Sequence, residues 1–94
     1  MVPSLEEYLA EASKILDKAR SLEPEERLAL NYFIENISVG DLRAVKDLKA
    51  LGVNAPEAVI RKLASMGFIE KSEGCYNLAK PLKNYVMRRG KIRV

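Results

Sequence analysis

The spacing of apolar residues changes along the chain, and each change marks an element. Leu5, Tyr8, Leu9, Ala12, Ile15, Leu16, Ala19 and Leu22 recur at three- and four-residue steps, which predicts an amphipathic helix of about five turns over residues 4–22. Ser4, with Glu7 three residues on, supplies a capping box at its start. Pro24 breaks the pattern and suits a first helical position. Glu23, Glu25 and Glu26 then sit where a helix dipole favours negative charge. This second helix runs to about Asn36, with Leu28, Phe33 and either Leu30 or Ile34 facing inward. The β-branched Ile37-Ser38-Val39 predicts a small strand lying against a later hairpin.

Asp41 is expected to cap a third helix whose apolar positions are Leu42, Val45, Leu48 and Leu51, and Gly52 ends it. After the turn Val53-Asn54-Ala55, Pro56 opens a fourth helix that reaches Met66 and buries Val59, Ile60, Leu63 and Met66; Gly67 ends it in the same way. Phe68-Ile69-Glu70-Lys71 and Cys75-Tyr76-Asn77-Leu78 flank Ser72-Glu73-Gly74, a short hairpin with Gly74 free to take positive φ. A last helix starts near Pro81, carries Leu82, Tyr85 and Val86, and ends at Gly90, leaving Lys91-Ile92-Arg93-Val94 as a frayed tail. The expected fold is therefore α+β and mostly helical. It is one domain over residues 1–94: a flanking helix at 4–22, a helix-turn-helix core with a hairpin wing at 24–78, and a terminal helix and basic tail at 79–94.

Composition narrows the class. At 94 residues the core is small, and 48% hydrophobic with 31% charged residues is ordinary for a folded soluble chain. No apolar run approaches the ~20 residues of a membrane span, and the start lacks a basic, then apolar, export leader. One cysteine fits a reducing interior, so a cytoplasmic location is expected. His, Trp, Gln and Thr are absent while Glu, Lys, Ile, Leu and Val abound, a hyperthermophile bias that fits an archaeal source.

Charge is uneven. Residues 1–40 hold eight acids and four bases, net −4, whereas residues 41–94 hold five acids and twelve bases, net +7. From Lys80 onward there are six bases and no acid. A cationic half suits a polyanion partner, and equally a solvated surface.

Enzyme chemistry finds little support. Without histidine there is no His-based acid–base pair, triad or common metal site. Cys75 has no histidine to activate it and reads as a structural thiol. The five glycines are scattered rather than gathered into a phosphate loop. No catalytic residue, cofactor or metal is expected.

A wheel of the fourth helix puts Val59, Ile60 and Leu63 on one side and Glu57, Ala58, Arg61, Lys62 and Ser65 on the other. Arg61 can fork to guanine or phosphate, while Lys62 offers a point charge; Glu57, one turn from Arg61, can instead pair with it. Arg43, Lys46 and Lys49 stand on the outer side of the third helix. Tyr76 and Tyr85 read as packing residues.

The stretch from about Glu25 to Leu78 resembles winged helix-turn-helix proteins of the archaeal and bacterial transcription-regulator kind. The resemblance rests on Asp41-Leu42, on Leu51-Gly52-Val53 at the turn, on Ala58-Val59-Ile60-Arg61-Lys62-Leu63, and on Met66-Gly67-Phe68-Ile69-Glu70-Lys71 leading into the wing. It implies a base-facing surface at Pro56, Glu57, Ala58, Arg61, Lys62 and Ser65 and a wing tip at Lys71, Ser72, Glu73 and Gly74. The wing is short, Glu73 repels phosphate, and no Asn or Gln on the helix can read adenine. Phosphate-dominated, weakly selective binding follows.

The expectation is a small duplex-DNA-binding regulator. Arg43, Lys46, Lys49, Lys71, Arg88 and Arg89 would add phosphate contacts to those of the fourth helix, with Ser72 of the wing tip also on the DNA-binding surface. The heptad-like steps of Leu5, Leu9, Ala12, Leu16 and Ala19, widened by Tyr8 and Ile15, let the first helix pack on its own domain or pair with a second copy or a partner protein. The alternative function is a protein-interaction subunit of an archaeal replication or transcription complex, such as a DNA polymerase accessory protein.

Overall fold

The structure is a computed structural model that describes residues 5–90 and 94, without the side chains of residues 5–9, 11 and 89. The Ser4 capping box and the segment Lys91-Ile92-Arg93 lie outside the described residues. In chain order the elements are α1 (Leu5–Lys18), α2 (Pro24–Glu35), β1 (Ser38–Gly40), α3 (Asp41–Ala50), α4 (Pro56–Ser65), β2 (Ile69–Ser72), β3 (Cys75–Leu78) and α5 (Lys80–Arg89). The fold is the expected mostly helical α+β domain, with α3, a tight turn and α4 followed by a hairpin.

The three strands form one antiparallel sheet in the order β1-β3-β2. Val39 pairs with Tyr76, and Lys71 pairs with the same tyrosine from the other side. α1 packs on α5, and α2 packs on α4. Phe33, Phe68, Leu30, Ile34, Leu48, Leu63 and Leu82 are fully buried between these layers.

Helix ends follow the local chemistry. Gly52 (φ 101°) and Gly67 (φ 86°) each take the left-handed conformation after a helix. The Gly52 N–H donates to Lys49 O and the Val53 N–H to Leu48 O; the Gly67 N–H donates to Ala64 O and the Phe68 N–H to Leu63 O. These are paired Schellman motifs, each closed by a buried apolar residue just past the glycine. At the start of α2 the Glu26 carboxylate accepts the Glu23 N–H at 2.8 Å, the reach-back contact of a capping box.

Several expectations need correction. The first helix tightens into a 3₁₀ turn, Ala19–Ser21. Its free carbonyls are taken by side chains: Arg27 donates to Arg20 O at 2.7 Å and to Leu22 O at 3.2 Å, and Ser21 Oγ donates to Lys18 O. Asp41 is the first residue of α3 rather than its cap, because β1 runs directly into the helix and the Asp41 N–H donates to Gly74 O at 3.0 Å.

Leu42 and Leu51 are exposed (83% and 51%), and the buried face of α3 is Ala44 and Leu48. Each three-residue step falls about 60° short of a full turn, so Leu42 and Leu51 end on opposite sides of the helix. Leu28 is also exposed (38%), since it lies about 200° from Leu30, which points into the core with Phe33 and Ile34. Val94 is held rather than frayed: its N–H donates to Asn31 Oδ1 at 2.8 Å, and its carbonyl accepts from Asn31 Nδ2 at 3.4 Å.

Candidate interaction surfaces

On α4 Val59, Ile60 and Leu63 are buried as expected, whereas Met66 falls just past the helix end and is only half-buried. The outward pair behaves differently at its two members. Arg61 is exposed, and no carboxylate among the described residues pairs with it, Glu57 included. Lys62 leans across to α2, where its Nζ sits 2.7 Å from Glu26 Oε2. Glu26 is 8% exposed, a nearly buried carboxylate with both oxygens engaged. The Lys62 hydrogen bond, and then that of the Glu23 N–H, hold its pKa below the usual carboxylate range against the opposing effect of burial. Lys62 therefore joins α2 to α4 instead of projecting as a free phosphate contact.

Pro56 is buried, which removes it from the expected base-facing surface; a proline at a first helical position gives the turn a compact apolar side to pack. Glu57, Ala58 and Ser65 are not part of the core, with Glu57 and Ala58 exposed and Ser65 Oγ donating to Lys62 O at 2.7 Å. On the hairpin, Ser72 Oγ accepts from Asn77 Nδ2 at 2.6 Å. Lys71 Nζ lies 5.9 Å from the ring centroid of Tyr76, which packs edge-on against Phe33. The tip is short and latched to α3 through Gly74 O.

The remaining cations divide into groups. Arg43 Nε is 3.4 Å from Asp47 Oδ2, and the same oxygen accepts the Tyr32 hydroxyl at 2.7 Å. Burial, reinforced by Asp47, pushes the Tyr32 phenol up to about 12. Lys46 is exposed. Lys49 and Arg61 flank one shallow cleft at the turn, and Arg61 borders a second beside Lys71 and Tyr76. Arg88 is exposed on α5, the helix that packs on α1, and the Arg89 side chain lies outside the described residues.

Of the apolar stripe on α1, expected either to pack on its own domain or to pair with a partner, the described part packs at home. Ala12 and Ala19 are buried in the domain's own core, and Ile15 and Leu16 pack partly against it. Leu5, Tyr8 and Leu9 carry side chains outside the described set. A different surface with apolar members is present between α2 and α3: Leu28 and Leu51 share a shallow groove with Tyr32, Asn31, Asn36 and the carboxylate-bearing Glu35. Periodicity does not point to it, because the apolar pattern assigns both leucines to the core.

Among the described residues no group of three or more His, Cys, Asp and Glu side chains could hold a metal ion, and no helix is long and apolar enough to cross a membrane. The surfaces offer shallow apolar and cationic contacts on a mostly helical body, the makings of a small binding domain. The chain belongs to the PolB1 Binding Protein 2 family, which it matches over residues 23–84. No individual curated protein matches it. Family membership corrects the reading taken from the winged-helix resemblance. The chain is not assigned to the transcription regulators, and the expectation of a DNA-binding winged-helix regulator falls with that assignment. The resemblance lay in element order and turn chemistry, which one scaffold lends to unrelated tasks.

Proposed function

We propose that the protein is a non-catalytic accessory subunit that binds the DNA polymerase PolB1. The observation that carries this reading is the family match, which spans the whole of α2 to β3 and the first half of α5. Two structural facts support it. Lys62 and Pro56, expected on a groove-reading helix, are engaged within the domain. The exposed leucines Leu28 and Leu51 instead offer apolar contact of the kind protein partners cover. The reading implies an intracellular location beside the polymerase.

The test is to mix the purified full chain with purified PolB1 and follow the mixture by sizing with light scattering and by titration calorimetry. A complex with measurable heat is the expected result. Separate migration of the two proteins at tens of micromolar, with no heat, would overturn the reading. A second contact is favoured by one observation, the exposed Arg61 between Lys49 and Lys71. These three cations would touch the phosphate backbone of DNA held by the polymerase, adding a weak, salt-sensitive increment to a protein-based complex.

A further inference from the structure

We propose that α2 carries a two-point clasp, Arg27 and Asn31, that fastens both flanking segments of the chain to the body of the domain, so that α1 and the end of α5 open and close as one unit. Arg27 holds the chain just after α1, and Asn31 holds Val94, beyond α5. The device does not depend on which partner the protein binds.

The two side chains lie one turn apart on one face of α2. Arg27 donates to the carbonyls of Arg20 and Leu22, at 2.7 and 3.2 Å, and so closes the 3₁₀ turn that ends the first helix. The Asn31 amide accepts the Val94 N–H at 2.8 Å and donates to the Val94 carbonyl at 3.4 Å. A side-chain amide that meets both polar groups of one residue stands in for a backbone partner and holds the main chain whatever side chain it bears. All four bonds engage main-chain groups outside residues 23–84, while Arg27 and Asn31 both lie inside that family-matched span.

The two held segments also touch each other. α1 packs on α5. Val94 is half-buried, packs against the core, and lines one cavity with Leu16 and Asp17 of α1, Ala19 of the 3₁₀ turn, and Arg27. Gly90 turns the chain out of α5 at φ 87° and ψ 169°, a conformation open in practice to glycine alone. Among the described side chains of α1, Ala12 is fully buried and Ile15 and Leu16 are partly so. That described apolar seat is small, so the polar ties weigh heavily in holding the helix down. Opening the clasp bares the inward side of α1 and leaves α3, α4 and the sheet in place.

The test is amide hydrogen exchange of the full chain under native conditions, read by mass spectrometry. Wild type is compared with Arg27→Ala, Asn31→Ala, Gly90→Ala and the Asn31→Ala/Gly90→Ala combination, each checked for a cooperative melt. Asn31→Ala removes both bonds to Val94, whereas Gly90→Ala strains the turn with Asn31 intact. Each single variant should speed exchange in α1 and in the second half of α5 together, by about tenfold, the size expected for one or two lost hydrogen bonds. Amides of α4 and β3 should stay within about twofold of wild type. The combination should be little faster than its faster member, since both changes open the same clasp. Wild-type exchange of α1 in Asn31→Ala and Gly90→Ala would overturn the proposal, as would acceleration confined to α5. Equal acceleration of every element, α4 included, would show a single cooperative domain with no separable unit and overturn it too. If Arg27→Ala fails to fold, the Asn31 and Gly90 variants decide, because they leave the 3₁₀ turn untouched.

Discussion

The two outer faces of the helix-turn-helix handle their side chains in opposite ways. On the α4 side, a lysine positioned to reach outward turns back to Glu26 at 2.7 Å, and the opening proline is buried. On the α2–α3 side, Leu28 and Leu51 face solvent although both sit in apolar patterns. On the α4 face Lys62 and Pro56 are engaged within the domain, whereas Arg61 stays exposed. The α2–α3 face bears no motif, yet it leaves two leucines exposed beside Glu35. Shape and residue type were thus less informative than whether each side chain already had a partner.

The largest expected effect erases the comparison altogether. Phe68 is fully buried, adjacent to the Gly67 helix end and the start of β2. Phe68→Ala should destabilise the domain by about 3–5 kcal/mol, because both faces depend on one core. Thermal or denaturant unfolding checks this, and a loss under ~1 kcal/mol would mean the core closes without it.

The next test separates the faces through the Lys62–Glu26 pair. Lys62→Ala leaves a nearly buried carboxylate with one hydrogen bond fewer. The expected loss is about 1–2 kcal/mol, at the low end for charged hydrogen bonds because Lys62 is half-exposed. Glu26 has a folded-state pKa below its ordinary value of 4.5. Its contribution is therefore complete above that value and is lost as pH falls below it. Glu26→Gln should flatten this acid limb of the stability profile, and an unchanged limb would show that the pair does not form. Binding to PolB1 should follow stability here and nothing more.

A smaller effect belongs to the other face. Tyr32→Phe removes the bond to Asp47 and should cost about 0.5–1.5 kcal/mol. Tyr32 titrates at about 12 when folded, against an ordinary 10.0. The unfolded chain therefore loses its phenolic proton first, and stability falls as pH rises from about 10 toward about 12. That alkaline loss should be shallower in Tyr32→Phe, as read by denaturant unfolding at several pH values. The smallest effect concerns DNA. With Lys49, Arg61 and Lys71 as the contacting cations, the salt dependence of any duplex contact should have a log-log slope of about −2 to −3, and Arg61→Ala should reduce it by about one. A slope steeper than about −5 would restore the α4 face as a major polyanion site.

Much of the fold was legible because its punctuation is local. Pro24, Gly52, Pro56 and Gly67 mark helix boundaries through backbone geometry, which depends on immediate neighbours. The hairpin and its pairing with the segment after Asn36 followed from alternation and turn chemistry. The surfaces were less legible. Periodicity says that Lys62 leaves the core but not that a carboxylate from α2 waits beside it, since that meeting depends on how α2 packs on α4. The drift of a three-residue apolar repeat around the helix moved Leu42 and Leu51 out of the interior. Asn31 gave no sign that it would clasp Val94, a contact between residues far apart in sequence. The family lay beyond physical patterning, because the same punctuation writes regulators and polymerase partners alike.

Asn31 has a practical bearing on how this protein is handled. Its amide clasps Val94 and also edges the groove of Leu28 and Leu51. A fluorophore, affinity tag or fusion linker joined after Val94 would emerge near that rim and crowd whatever settles there.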